Sequence, residues 1–237
     1  ERLSSPTLNN DVDLLINGEE KFDWLLRDLA HAKHSIHMEY YIFELDIIGL
    51  KVLNQLEQKA SEGVKVRLIA DSFGSPDLVK YMRKRKDSQI DFHTFLPVTF
   101  TSLANSNYRN HRKICVIDGR VGYVGGINIS DKYINASELP NKMYWRDTSL
   151  RVKGLAINLL QVSFWSSWNQ TDGESFYLED GYLHALQQNS EVKGRAGVGF
   201  VSSDPASIGP YNMEALLIAI GESSKKIQLC TPYYIPS

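Results

Sequence analysis

The sequence predicts an α/β fold, with helices packed on a sheet, from three observations. Strand-like and helix-like apolar periods alternate between Asp13 and Asp71 in the order βαβαβ. A compact hairpin signal follows at Ile114 to Val124. With 237 residues, 43% of them hydrophobic, the chain is able to enclose a large core.

Asp13 to Ile16 reads as the first strand, with residues 1–12 a leader, and Phe22, Leu25, Leu26 and Leu29 recur at helical spacing after it. Ser35 to Phe43 is a strand. Val52, Leu56 and Ala60 mark a second helix that Gly63 ends, and Val64, Val66, Leu68 and Ala70 alternate with Lys65 and Arg67 in a strand delivering Asp71 at its carboxyl end. Ser75 to Lys86 is a helix, Ile90 to Phe95 a strand, and Leu96 to Asn110 a loop carrying Phe100 and Tyr108. Arg146 to Val152 alternates as a strand, and Gly154 to Trp168 is a helix rich in large apolar side chains.

Past residue 190 a repeat begins. At one constant offset, Phe22, Leu25, Leu26, Leu29 and Ile36 fall on Met213, Leu216, Leu217, Ile220 and Ile227, and two residues of slip bring Tyr40-Tyr41-Ile42 onto Tyr233-Tyr234-Ile235. Residues 13–190 therefore read as one unit and 191–237 as the start of a second copy.

Lys and Arg number 26 against 28 Asp and Glu, a net charge of −2, so the strongly basic balance of a general nucleic-acid binder is absent and no nucleic acid is expected. Cys115 and Cys230 lie in apolar stretches that read as buried strands, which points to free thiols in a reducing compartment. The longest apolar run, Ala215 to Ile220, is far short of the roughly 20 residues of a membrane-crossing helix.

Asp118-Gly119-Arg120 separates the apolar runs Ile114 to Ile117 and Val121 to Val124. A loop of Gly119 and Arg120 sets His111 opposite Asn128 and Lys113 opposite Gly126, and opposed residues share a sheet face. His111, Lys113 and Asn128 then converge on one patch, where Gly125 and Gly126 leave backbone amides uncovered for an anion. Asp118 falls on the other face and ties down the turn.

These residues resemble the signature of the phospholipase D superfamily: His-x-Lys-x4-Asp, then Gly-Gly-x-Asn. Together with the stretches MEYYIF, GVKVRLIADSFGS, NYRNHRKICVIDG, WRDT and TPYYIPS, they look like bacterial cardiolipin synthases from about residue 12 onward. The resemblance implies an αβα sandwich with a central mixed β-sheet flanked by helices, and two such half-domains around one active site, of which this chain holds the first.

The resemblance further implies phosphatidyl transfer between two phosphatidylglycerol molecules through a phosphohistidine, with no cofactor and no metal. His111 is the expected nucleophile, since a neutral imidazole attacks phosphorus and can later leave. Lys113, Asn128, Gly125 and Gly126 are expected to hold the phosphate. Asp147 is expected to support the imidazole, and Asp118 completes the signature. The second acid would come from the missing half-domain or from a homodimer partner, because His184 reads as a helix-face residue. The membrane surface is the expected partner, and the parent protein is expected at the cell membrane with its catalytic part on the cytoplasmic side. Alternatives are a phosphodiesterase or nuclease of the same superfamily, or a non-catalytic lipid-binding fragment.

Other signals have plainer readings. His31, His34 and His37 repeat by threes but straddle a helix end and a strand, which splays them apart. Lys80, Arg83, Lys84, Arg85 and Lys86 form either a solvated helix face or a contact for anionic lipid. Glu39, Tyr40 and Asp71 lie at strand ends that could border the site.

Overall fold

The structure, a computed structural model, describes residues 6–95, 111–136, 143–171, 182–202 and 209–230. The strands are β1 (Thr7–Ile16), β2 (Ser35–Tyr40), β3 (Lys65–Asp71), β4 (Asp91–Phe95), β5 (Lys113–Ile117), β6 (Val121–Gly125), β7 (Thr148–Lys153) and β8 (Ala196–Val198). They form one sheet in the order β4-β3-β2-β5-β6-β7-β1-β8. The β2, β3 and β4 strands run parallel, and the other pairings are antiparallel. The sheet is mixed.

Helices α1 (Asn17–Ala30), α2 (Ile47–Ser61) and α3 (Pro76–Lys84) cover one face, and α4 (Ile157–Trp168) covers the other. Period decides this. Phe22, Leu25 and Leu29 form the apolar stripe of α1 and are buried against Met38, Tyr40 and Cys115, each such side chain contributing roughly 1.5–3 kcal/mol. Ile114 and Val116 alternate to the opposite face and meet Ile157 and Leu160 of α4. Farther along α4, Phe164, Trp165 and Trp168 pack with Ile69, and His37 stacks on Phe164 at 4.9 Å. The αβα sandwich around a mixed sheet is therefore present. Two further helices, α5 (Tyr182–Ser190) and α6 (Tyr211–Gly221), follow. No described helix is long and apolar enough to cross a membrane.

Four expectations change. The residues from Thr7 to Val12, read as leader, form the first part of β1, although they alternate poorly, because Asn10 anchors them. Its buried amide donates to the Thr7 and Ala196 carbonyls while its oxygen accepts from Ala156 N–H. On the far side, β8 pairs with β1, so the sheet extends past residue 190 into the stretch read as a second copy. Cys115 is buried, but Cys230 is exposed. The repeat partners Met213, Leu216 and Leu217 on α6 are also exposed, unlike Phe22 and Leu25. Residues 233–235 and the loop with Phe100 and Tyr108 lie outside the described residues.

The hairpin turns through Asp118 and Gly119, both at positive φ (53° and 62°), the paired left-handed conformations of a type I′ turn. Arg120 adds a third loop residue, so Ile117 pairs with Val121. The Asp118 carboxylate accepts from the backbone N–H groups of Lys33, His34 and Ser35 at 2.9, 2.7 and 2.9 Å, stapling the α1–β2 connection to the hairpin. Asp118→Ala removes three backbone hydrogen bonds to a charged acceptor and is expected to lower the unfolding free energy by about 3 kcal/mol, read as a reduced urea midpoint at unchanged m-value. An unmoved midpoint would refute the staple.

Candidate active site

The strand directions gather the chemistry at one end of the sheet. The carboxyl ends of β1, β2, β3 and β6 meet the amino ends of β5 and β7 there, as the pairs Ile16↔Thr148, Tyr40↔Lys113 and Gly125↔Ser149 show. Residues at or just beyond these strand ends therefore crowd together: Asn17, Tyr41, Asp71, His111, Gly126 and Asp147.

His111 is exposed on this end, with its ring stacked on Tyr41 at 4.0 Å and 18°. Partial burial, reinforced by the neighbouring Lys113 charge and opposed by Asp71, lowers its pKa below the ordinary imidazole value. The ring is accordingly neutral at neutral pH, with a lone pair available. Lys113, two residues on, is half-buried; its Nζ donates to the His111 carbonyl at 2.6 Å and lies 5.5 Å from the Tyr41 ring centre. Burial pushes its pKa down to about 8, against the raising influence of Asp147. Near neutral pH the pair is a neutral base beside a cation.

The other wall comes from β6. The three-residue loop shifts the hairpin register by one, so Lys113 lies opposite Gly125 rather than Gly126. A straight continuation would turn Asn128 away from Lys113. Instead the strand bends at Gly126, and the chain crosses to pair with the segment after β2: Ile129 N–H donates to the Ile42 carbonyl and Glu44 N–H to the Ile129 carbonyl. Asn128 is thereby buried on the α1 side, the side of Lys113, with its Oδ1 accepting from Ile42 N–H at 3.2 Å and its Nδ2 donating to Tyr133 Oη at 2.8 Å. His111 has no ladder partner on β6.

Asp147 is held at the entrance to β7 by Asn17, which donates its N–H to the Asp147 carbonyl at 2.9 Å and accepts from Asp147 N–H at 3.1 Å. Its carboxylate lies over Gly126, where any side chain would collide with it. A side chain at position 126 would displace that carboxylate. The charge of Asp147 acts on Lys113, whereas the acidic group acting on His111 is Asp71. Asp71 is buried at the end of β3, accepting from the N–H groups of Phe73 and Gly74, both at 2.9 Å.

Residues 25–145 match the family model described as cardiolipin synthase, PLD-like domain. The chain is 36% identical to the cardiolipin synthase of Oceanobacillus iheyensis and 36% identical to the major cardiolipin synthase of Bacillus subtilis, each alignment taking in 97% of this chain and 47% of the relative. A third, the Alkalihalophilus pseudofirmus cardiolipin synthase, is 38% identical over 97% of this chain and 45% of its own length. The chain belongs to the phospholipase D superfamily, in its cardiolipin synthase family. It spans about half the length of the curated relatives it matches.

Two solved structures superimpose on it at low identity. NucT from Helicobacter pylori gives a TM-score of 0.52 at 15% identity, covering 70% of this chain and 99% of that one. The phosphatidylserine synthase of Haemophilus influenzae gives 0.54 at 14%, covering 81% of this chain and 46% of its own. These likenesses establish the fold.

Within the signature of this cardiolipin synthase domain, Asp118 stands apart. It lies at the hairpin turn, at the opposite end of β5 from Lys113, and holds backbone rather than facing the cluster. His111, Lys113, Gly125, Gly126, Asn128 and Asp147 are all at the site end.

Two neighbours escaped the sequence reading. Tyr41 is the platform for His111, and its role depends on a stacking partner 70 residues away that no periodicity reveals. Lys21 is fully buried in α1, with its Nζ donating to the Ile127 carbonyl at 2.8 Å and reaching the Asn128 carbonyl at 3.4 Å. A signal for it existed: Lys21, Leu25 and Leu29 share one helical stripe, so a lysine there enters the core.

Proposed function

We propose that this chain carries the nucleophilic half of a phosphatidyl-transfer site that joins two phosphatidylglycerol molecules into cardiolipin with release of glycerol. The reading rests above all on one observation: an exposed imidazole, a half-buried ammonium and a glycine-lined bend leading to Asn128 stand together at one end of the sheet.

A ring nitrogen of His111 forms a bond to phosphorus, and the bond from phosphorus to the glycerol oxygen breaks; that oxygen leaves with the electron pair and is protonated. In the second half-reaction the acceptor hydroxyl gives up its proton and attacks phosphorus, and the P–N bond breaks to restore neutral imidazole. Lys113 and the amide of Asn128 hold the non-bridging oxygens, and the bare backbone at Gly125 and Gly126 lets them approach. The carboxylates divide the work: Asp71 favours the cationic imidazole of the intermediate, while Asp147 keeps the Lys113 ammonium in place.

The proton donor for the leaving alcohol is the group this half lacks. His-x-Lys-x4-Asp occurs once in the 237 residues, so we assign the acid to a second half-domain of the parent protein or to the His111 of a second copy. The substrate places the parent protein at a membrane surface. With a net charge of −2, the chain has little electrostatic basis for gripping a nucleic-acid backbone instead.

Bis(p-nitrophenyl) phosphate tests the half-site by itself, because p-nitrophenolate is a weak base that leaves without a proton donor. The expected result is a burst of p-nitrophenolate stoichiometric with protein, with a nitrophenylphosphoryl group on the peptide containing His111 by mass spectrometry. Absence of both burst and adduct would sink the reading. With phosphatidylglycerol in mixed micelles, the corresponding phosphatidyl adduct is expected on the same peptide.

A further inference from the structure

Lys21 sits where an aliphatic side chain would serve the core better. It lies on the buried stripe of α1 with Phe22 and Leu25, yet carries a terminal nitrogen that is costly to remove from water. What it receives is specific: the Ile127 carbonyl at 2.8 Å, the Asn128 carbonyl at 3.4 Å, and the faces of the Tyr40 and Phe22 rings at 4.6 and 4.8 Å. Burial dominates its titration and lowers its pKa well below the usual lysine value; Asp147 and Cys115 act in the opposite direction, and Lys113 adds to the lowering.

The two carbonyls belong to the segment that has just left the sheet. Gly126 N–H still donates to the Thr148 carbonyl, whereas the Ile127 and Asn128 carbonyls turn toward α1. A buried carbonyl without a donor is costly, so the ammonium substitutes for the strand neighbour lost at the bend. It also sets direction. Across a planar trans peptide, the N–H of Asn128 points opposite to the Ile127 carbonyl, so fixing that carbonyl on Lys21 aims the N–H away from the helix. The same anchor fixes the backbone from which the Asn128 side chain projects.

From this geometry we infer that Lys21 is a positioning residue for phosphate: it clamps the Gly126 to Asn128 bend from beneath and so fixes where Asn128 meets the non-bridging oxygens. The inference builds on the phosphoryl-transfer reading of the site. Lys21 touches no substrate. It acts through two carbonyls of the segment that does.

Lys21→Met keeps the unbranched apolar stem and removes only the charged donor. In the 237-residue chain, the burst rate constant with bis(p-nitrophenyl) phosphate is expected to fall about 10²-fold, as for a misplaced binding group. Burst amplitude is expected to stay at the wild-type value and the melting temperature to change by only a few degrees, because relief of the buried charge offsets the two carbonyls left without a donor. A rate constant within twofold of wild type would overturn the inference. So would a lower melting temperature with reduced amplitude and an unchanged rate constant, which is the pattern of a purely structural lysine. Should Lys21→Met not fold, Lys21→Leu, which likewise lacks a donor, is read against the same criteria.

Inorganic phosphate binding, measured by calorimetry, separates this inference from the reading beneath it. If the wild type gives no burst, the nucleophile assignment falls. Phosphate affinity still tests Lys21: at least tenfold weaker binding by the variant supports the clamp. Equal affinity, or no binding by the wild type, overturns it.

Discussion

His111→Gln is expected to eliminate both the burst and the adduct while leaving the folding transition almost where it was. The two effects separate because of where the side chain stands. His111 is exposed, outside the ladder of β5, and its principal packing partner is the Tyr41 ring at 4.0 Å. Losing one such stack costs on the order of 1 kcal/mol, a small fraction of a domain's stability. The chemical loss is complete, since glutamine has no lone pair able to form and release a bond to phosphorus. Rapid-quench sampling with peptide mass analysis checks it: the variant should release p-nitrophenolate at the uncatalysed rate, with no mass added between residues 111 and 128. An adduct of wild-type amplitude in the variant would move the nucleophile elsewhere.

Lys113→Met is expected to slow the burst by about 10²–10³-fold, the usual consequence of removing one preorganised group that stabilises charge in the transition state. The pH dependence carries the sharper signature. In the wild type the second-order rate constant needs neutral His111 and charged Lys113. It therefore falls as pH drops through the His111 pKa, below the ordinary imidazole value, and falls again as pH rises through the Lys113 pKa of about 8. Removing the ammonium removes the alkaline limb. The variant is expected to be slow but level above neutrality, and its acid limb should move to higher pH, because the neighbouring charge that disfavours imidazolium is gone. An alkaline limb that persists near pH 8 in Lys113→Met would assign that ionisation to another group.

Much of the fold was legible because apolar period is a local property. The stripe of α1, the alternation of β3 and the apolar runs flanking Asp118-Gly119 each state their structure within a few residues. Register was less legible. A two-residue loop and a three-residue loop suit the same letters, and the difference of one reverses every side chain beyond it. Asn128 nevertheless reaches the Lys113 side, because the strand bends at Gly126 and crosses to the Ile42 segment, a long-range pairing with no local mark. The same holds for β8, a three-residue strand that depends on Asn10 and β1 for its place.

The residues able to do phosphoryl chemistry are written in the sequence by itself: His111, Lys113, the paired glycines and Asn128 stand at spacings that strands make meaningful. Tertiary structure alone decided their company. It set Tyr41 under the imidazole, Asp71 rather than Asp147 as the carboxylate acting on it, and a buried Lys21 beneath the bend. Backbone periodicity is encoded by near neighbours, whereas electrostatic partnership depends on which strand ends the folded sheet brings to the same place.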